Sequence, residues 1–116
     1  VYELVLRAQE AGLHALRAGP KGREVDAAAR HVIDEGGHGE QFGHGLGHGV
    51  GLEVHEGPRL GPLTGVVPLA AGHVVTVEPG VYLPGQWGVR IEDLTVVTEG
   101  GCEVLSHFTK ELQTIG

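Results

Sequence analysis

Residues 43–60 read GHGLGHGVGLEVHEGPRL, and the conformation of this stretch decides the architecture around it. His44 and His48 are four apart, so a helix would put both on one face. Gly43, Gly45, Gly47, Gly49 and Gly51 argue against that helix, each costing about 1 kcal/mol relative to alanine. Extended backbone gives the same result without that cost, because residues an even number apart share a face of a strand. His55 has the opposite parity to His48. Both reach one site only if the chain bends between them, and Gly49 and Gly51 permit a bend or bulge. Glu56 is followed by Gly-Pro-Arg, so the helical H-E-x-x-H zinc motif is absent. No window fits G-x-G-x-x-G, which excludes a dinucleotide fingerprint. Taken alone, the stretch also reads as a glycine-rich turn with solvent-facing histidines.

Downstream, residues 73–78 (HVVTVE) and 89–98 (VRIEDLTVVT) are β-branched and alternating. Both read as strands, bounded by Pro-Gly and Gly-Gly breakers. The segment between them, PGVYLPGQWG, holds two Pro-Gly pairs and reads as a loop, so the two strands are expected to be antiparallel neighbours. Glu78 ends the first strand in line with Val74 and Thr76, so it is either exposed or paired. In the second strand, alternation puts Arg90 and Glu92 on one face and Ile91 and Asp93 on the other. If the strands pair, Glu78 and Glu92 come close, and two adjacent carboxylates repel unless a cation or proton sits between them. A solvated cross-strand salt bridge is the alternative. One imidazole and two carboxylates suit a borderline divalent ion such as Mn, Co or Zn.

Upstream, residues 1–18 lack proline and favour helix, with Val1, Leu4, Val5, Ala8, Ala11 and Ala15 on one broad face and a stop at Gly19-Pro20. A second helix begins near Arg23. Val25, Ala28, Ala29, Val32 and Ile33 form its apolar stripe, and Gly36-Gly37 stops it. Glu24 and Asp26 in its first turn suit the macrodipole. His14 and His31 read as surface residues.

Composition narrows the classes further. The chain has 116 residues, 21 of them glycine and 8 histidine, with a net charge of −7. That charge argues against non-specific binding to nucleic acid or anionic lipid. No apolar run approaches the ~18 residues of a membrane span, and no signal-peptide pattern opens the chain. The single cysteine, Cys102, excludes an internal disulfide and points to a reducing, cytoplasmic setting. With no methionine and Val1 already inside a helical pattern, the chain reads as the C-terminal piece of a longer protein.

GHGLGHGVGLEVHEGPRL, VVTVEPGVY and GVRIEDLTVVTEGG resemble the C-terminal signatures of the pita-bread metallopeptidases. The likeness is strongest to the Xaa-Pro group, aminopeptidase P and prolidase, and covers essentially the whole chain. It implies an α+β fold, two helices (within 1–37) followed by a curved, mostly antiparallel sheet (within 43–116). Residues 1–116 would form the C-terminal portion of the catalytic domain. The resemblance implies that His48 and Glu78 bind one metal ion, that Glu92 bridges two, and that Glu78 handles the proton. His55 would hydrogen-bond the scissile region, His44 would line the proline pocket, and Arg90 would stabilise the site at its edge. The implied substrate is a proline-containing peptide, cut at the Xaa-Pro bond with two divalent ions. The family's two aspartate ligands come from upstream of the first helix, and Asp26, Asp34 and Asp93 match neither. This chain alone is therefore expected to bind at most one ion, weakly, and to be inactive without the upstream segment as partner. A homodimer is also implied. The alternative is a non-catalytic pita-bread domain that binds peptides or proteins. A metal-free hydrolase of the creatinase kind would have no reason to keep His48, Glu78 and Glu92 together.

Overall fold

A computed structural model describes residues 1–50 and 56–113. Its elements are α1 (Tyr2–Ala15), α2 (Gly22–Glu35), a 3₁₀ turn (Gly39–Gln41) and seven strands. The strands are β1 (Gly47–Gly49), β2 (Glu56–Leu60), β3 (Val74–Val77), β4 (Gly80–Leu83), β5 (Trp87–Arg90), β6 (Asp93–Val97) and β7 (Cys102–Val104). Five form one antiparallel sheet in the order β2-β1-β3-β6-β7, and β4–β5 is a separate hairpin. The α+β class and the two-helix opening match the expectation from sequence.

Both helices contribute to one apolar core with the sheet. Val5, Ala8 and Leu16 meet Val25, Ala29 and Ile33 of α2 and Leu46, Val75 and Val77 beyond them. The inward face of α1 differs from the expected stripe. Gln9 and Gly12 are buried, whereas Val1 is exposed and Ala11 and Ala15 are only half-buried. Gly12 explains the shift. A Cβ there would lie 3.1 Å from Leu46 Cδ2 and 3.2 Å from Val77 Cγ1, so a side chain would be tight and those two would have to give by a few tenths of an ångström. The propensity cost of this glycine is offset by that close packing. The helix also ends before Gly19-Pro20, at Ala15, because Leu16 is extended and fully buried.

In α2 the expected stripe holds, and Glu24 Oε2 accepts the Lys21 N–H at 2.7 Å to close the first turn. Asp26 does more than oppose the helix dipole. It is 1% exposed and paired with Arg30.

Strands β3 and β6 pair as expected, with Val75 opposite Thr95 and Val77 opposite Asp93. Two expectations need correction. The segment 79–88 is not a loop but most of a hairpin, turning at Gly85 with φ +76° and pairing Leu83 with Trp87. The run 89–98 is not one strand, since the chain leaves the hairpin after Arg90 and enters the main sheet at Asp93. Alternation survives the break: Ile91 and Asp93 are buried, while Arg90 and Glu92 face outward.

Residues 105–113 cross back over the start of α1. The Tyr2 hydroxyl donates to the Lys110 carbonyl, and Lys110 Nζ meets Gln9 Oε1 at 2.8 Å and the Asp93 carboxylate. No helix among the described residues is long and apolar enough to cross a membrane.

Candidate active site

Two glycines of the opening motif sit against neighbouring backbone. A Cβ on Gly47 would fall 1.8 Å from the Thr76 carbonyl oxygen, and one on Gly45 would fall 2.9 Å from that of Leu60. Only glycine lets β1 lie this close to its neighbours. The register shifts between His48 and Gly49, which places the expected irregularity at the first of the two proposed glycines. His55 lies outside the described residues.

His48 is held at two points. Its N–H donates to Thr76 Oγ1 at 3.1 Å, and its Nδ1 lies 2.9 Å from the Gly49 carbonyl oxygen. A carbonyl only accepts, so Nδ1 carries a hydrogen. Nε2 then faces Glu78 Oε2 at 3.5 Å, both side chains being about 15% exposed. Glu78 is set by its own N–H, which donates to the Leu46 carbonyl at 2.7 Å. Its Oε2 is buried and has no hydrogen-bond partner among the described residues. An ionised oxygen left in that state is costly unless a cation reaches it.

Glu92 approaches from the other strand. Burial raises its carboxyl pKa, and the Glu78 carboxylate beside it adds to the rise, both as hydrogen-bond partner and as like charge. Arg90 and His48 pull the other way. Arg90 Nη2 stands 3.6 Å from Glu92 Oε1 at the exposed rim. The structure thus brings His48, Glu78, Glu92 and Arg90 near one another.

These side chains suit a divalent ion in part. Two ligands at about 2.1 Å from a tetrahedral ion lie about 3.4 Å from each other, close to the His48–Glu78 separation. The buried Glu78 oxygen supplies the charge such an ion would need. Yet no group of three or more His, Cys, Asp or Glu among the described residues is arranged to hold an ion by itself. The donor set fits part of a metal centre.

His44 lies beside this group, with Nδ1 2.7 Å from the Gly45 carbonyl oxygen and Nε2 2.7 Å from the Tyr82 hydroxyl. Sequence reasoning missed Tyr82. Its pKa is raised chiefly by burial, with Arg90 opposing and Glu78 reinforcing. No period in the four-residue β4 arm singles it out. Arg59 was missed as well, although it sits directly opposite His48 across β1 and β2. His44, His48, Arg59, Thr64 and Glu78 line a cleft of about 380 Å³. A larger depression, about 480 Å³, lies near His14, Arg17 and Glu24, but these are exposed side chains on an open surface. Chemistry rather than size marks the cleft as the site.

Comparison with known proteins identifies the family. The model of metallopeptidase family M24 matches residues 1–99. The Xaa-Pro dipeptidase of Pyrococcus furiosus is 46% identical over 112 residues, which is 97% of this chain and 32% of that protein. Among solved structures, the X-Pro aminopeptidase of Thermotoga maritima superposes with a TM-score of 0.91 at 49% identity, covering 96% of this chain and 31% of that one. The Xaa-Pro dipeptidase of Bacillus anthracis gives 0.92 at 51% identity, covering 97% and 31%. The chain spans about a third of the length of the curated relatives it matches. With the family model covering most of the sequence and the fold shared at high identity, the chain belongs to metallopeptidase family M24.

Proposed function

We propose that this chain is part of an enzyme that hydrolyses the Xaa-Pro peptide bond with two divalent ions, of the Mn, Co or Zn class. The observation that carries the reading is the buried Glu78 oxygen, without a hydrogen bond and facing His48 at 3.5 Å, with Glu92 against the same carboxylate. The names of the relatives, dipeptidases and aminopeptidases for Xaa-Pro substrates, supply the substrate class.

When bound, the ions lower the pKa of water and polarise the carbonyl. His48, Glu78 and Glu92 are the ligands this chain contributes. Two aspartates from upstream sequence complete the set in the whole protein. Glu78 takes a proton from the attacking water and returns it to the proline nitrogen as the amide bond breaks. His44 lines the pocket for the proline ring, and Arg90 steadies the rim beside Glu92. His55 hydrogen-bonds the scissile carbonyl region. Cytoplasmic residence belongs to the same reading and rests on the single thiol. A homodimer does as well.

The second reading is a non-catalytic domain that binds peptides, and the retention of His48, Glu78 and Glu92 together speaks against it. The two readings separate in the full-length protein. Metal-loaded enzyme should cleave an Xaa-Pro dipeptide, and chelation should abolish cleavage. Metal-independent peptide binding without cleavage would support the second reading.

A further inference from the structure

Asp26 and Arg30 take no part in the chemistry above, yet Asp26 is buried and the two form a bidentate pair. Arg30 Nε donates to Asp26 Oδ2 at 2.8 Å and Nη2 to Asp26 Oδ1 at 3.0 Å. The same guanidinium reaches the loop ahead of β1. Nη1 donates to the Phe42 carbonyl at 2.9 Å, and Nη2 to the His44 carbonyl at 2.8 Å. It also lies 4.1 Å over the Phe42 ring, which meets the His44 ring edge-on at 5.2 Å.

We propose that Arg30 and Asp26 are positioning residues that set the direction and tautomer of His44 through a single peptide plane. Asp26 Oδ1 accepts the Leu46 N–H at 3.0 Å. That N–H belongs to the same rigid amide as the Gly45 carbonyl, and in a trans amide the two point in opposite directions. Gripping one end aims the other. The Gly45 carbonyl oxygen is the group that takes the His44 Nδ1 hydrogen, at 2.7 Å. With Nδ1 protonated, Nε2 keeps its lone pair and accepts the Tyr82 hydroxyl. A carboxylate on the N–H end also makes the carbonyl a better acceptor, because linked hydrogen bonds polarise one another.

His48 offers a control within the same chain. Its Nδ1 meets the Gly49 carbonyl oxygen, and the N–H of that amide, on Val50, donates to the Val74 carbonyl at 3.1 Å. There a neighbouring strand grips the plane. Leu46 precedes the first residue of β1, so at His44 a carboxylate stands where a strand partner would. Asp26 is nearly inaccessible and needs a cation beside it, and the forked guanidinium supplies that cation while tying down Phe42 and His44.

That His44 meets substrate rests on the function proposed above, so the test reads both activity and the ring itself. The full-length, metal-loaded protein is compared with Arg30→Lys, which keeps the charge but loses the fork, with His44→Ala, and with the double variant. Arg30→Lys should lower kcat/KM on an Xaa-Pro dipeptide about tenfold, mainly through KM and with metal content unchanged. In the His44→Ala background the same change should cost less than about twofold, the signature of two residues acting as one unit. Losses that multiply in the double variant would overturn the proposal, because a purely structural role predicts them. Nitrogen-15 spectra of labelled histidine should show His44 as a single Nδ1–H tautomer that becomes mixed in Arg30→Lys; an unaltered His44 signal would also overturn it. If the wild-type protein cleaves no Xaa-Pro peptide but Arg30→Lys still mixes the His44 tautomers, the substrate assignment is sunk and the positioning role is upheld.

Discussion

Val77 stands opposite Asp93 in the last described rung between β3 and β6, and that pairing places Glu78 and Glu92 one step beyond it, facing each other across the strands. Antiparallel pairing makes this unavoidable: the residue after one partner meets the residue before the other. Continued one step past the last rung, the register brings two carboxylates together; burial, and then the Glu78 carboxylate, raises the Glu92 pKa.

Glu92→Gln in the full-length protein should have opposite effects with and without metal. Directly opposed like charges destabilise a strand pair by a few tenths to about 1 kcal/mol. After chelation, the variant should therefore melt slightly higher than wild type. Loaded with metal it should melt lower, hold less metal and lose most of its activity. Calorimetry in chelator and in metal, with elemental analysis, checks all three.

His48→Ala should lose both metal and activity. His55→Ala should keep the metal and lose activity on the order of a hundredfold, the scale of one transition-state hydrogen bond. Metal analysis beside steady-state kinetics separates the two, and an empty site in His55→Ala would reverse the assignments.

Residues 1–116 on their own should bind at most one divalent ion, weakly, and show little cleavage of Xaa-Pro dipeptides. Glu78 and Glu92 there lack the further carboxylates of a two-ion clamp. Titration calorimetry showing two tightly held ions would contradict this, as would chelator-sensitive cleavage by the purified chain.

Gly47→Ala should cost about 3 kcal/mol or more, since the new Cβ would collide with the Thr76 carbonyl rather than with a movable side chain. Denaturant unfolding measures the loss. Because Thr76 Oγ1 also holds the His48 N–H, metal affinity should fall with it.

Cys102 should react slowly with iodoacetamide near pH 8. Its Sγ lies 3.5 Å from the Leu13 carbonyl oxygen, and its pKa is raised by burial and then by Asp93. Only the thiolate attacks, so the folded protein should lag behind unfolded chain at that pH. The linkage has a definite sign. The unfolded thiol ionises first, so the thiol's contribution is fully present below the ordinary thiol range and fades as pH rises through the folded value. A mass-spectrometric time course with and without denaturant reads the difference.

Much of this site was legible because its residues sit in strands whose alternation is short-range. Alternation gave the strand faces of Glu78, Arg90 and Glu92, and even spacing put His44 and His48 on one face, but their grouping as a site came from the resemblance to the pita-bread metallopeptidases. The hairpin was not legible. Its arms are four residues each, too short to show a period, and prolines flank the first arm so that it looks like a loop. Tyr82 was lost with it. Asp26 was read by its place in the first helical turn, but its decisive partner, the Leu46 N–H, is 20 residues away. Gly12 looked like a weak point in a helix because the sheet that needs its small size lies far along the chain.

The strap across α1 gives the molecule an order of assembly in time. Gln9 leaves the ribosome 101 residues before Lys110, the cation that meets both it and Asp93. Until then a nascent chain holds Asp93 with the Gln9 amide but without that cation. Burying that carboxylate early would be costly, so β6, and with it the backbone that aims Glu92, is stabilised in its final place only when synthesis is nearly past this segment. Premature stalling before Lys110 would thus leave the two opposed carboxylates among the last parts of the sheet to settle.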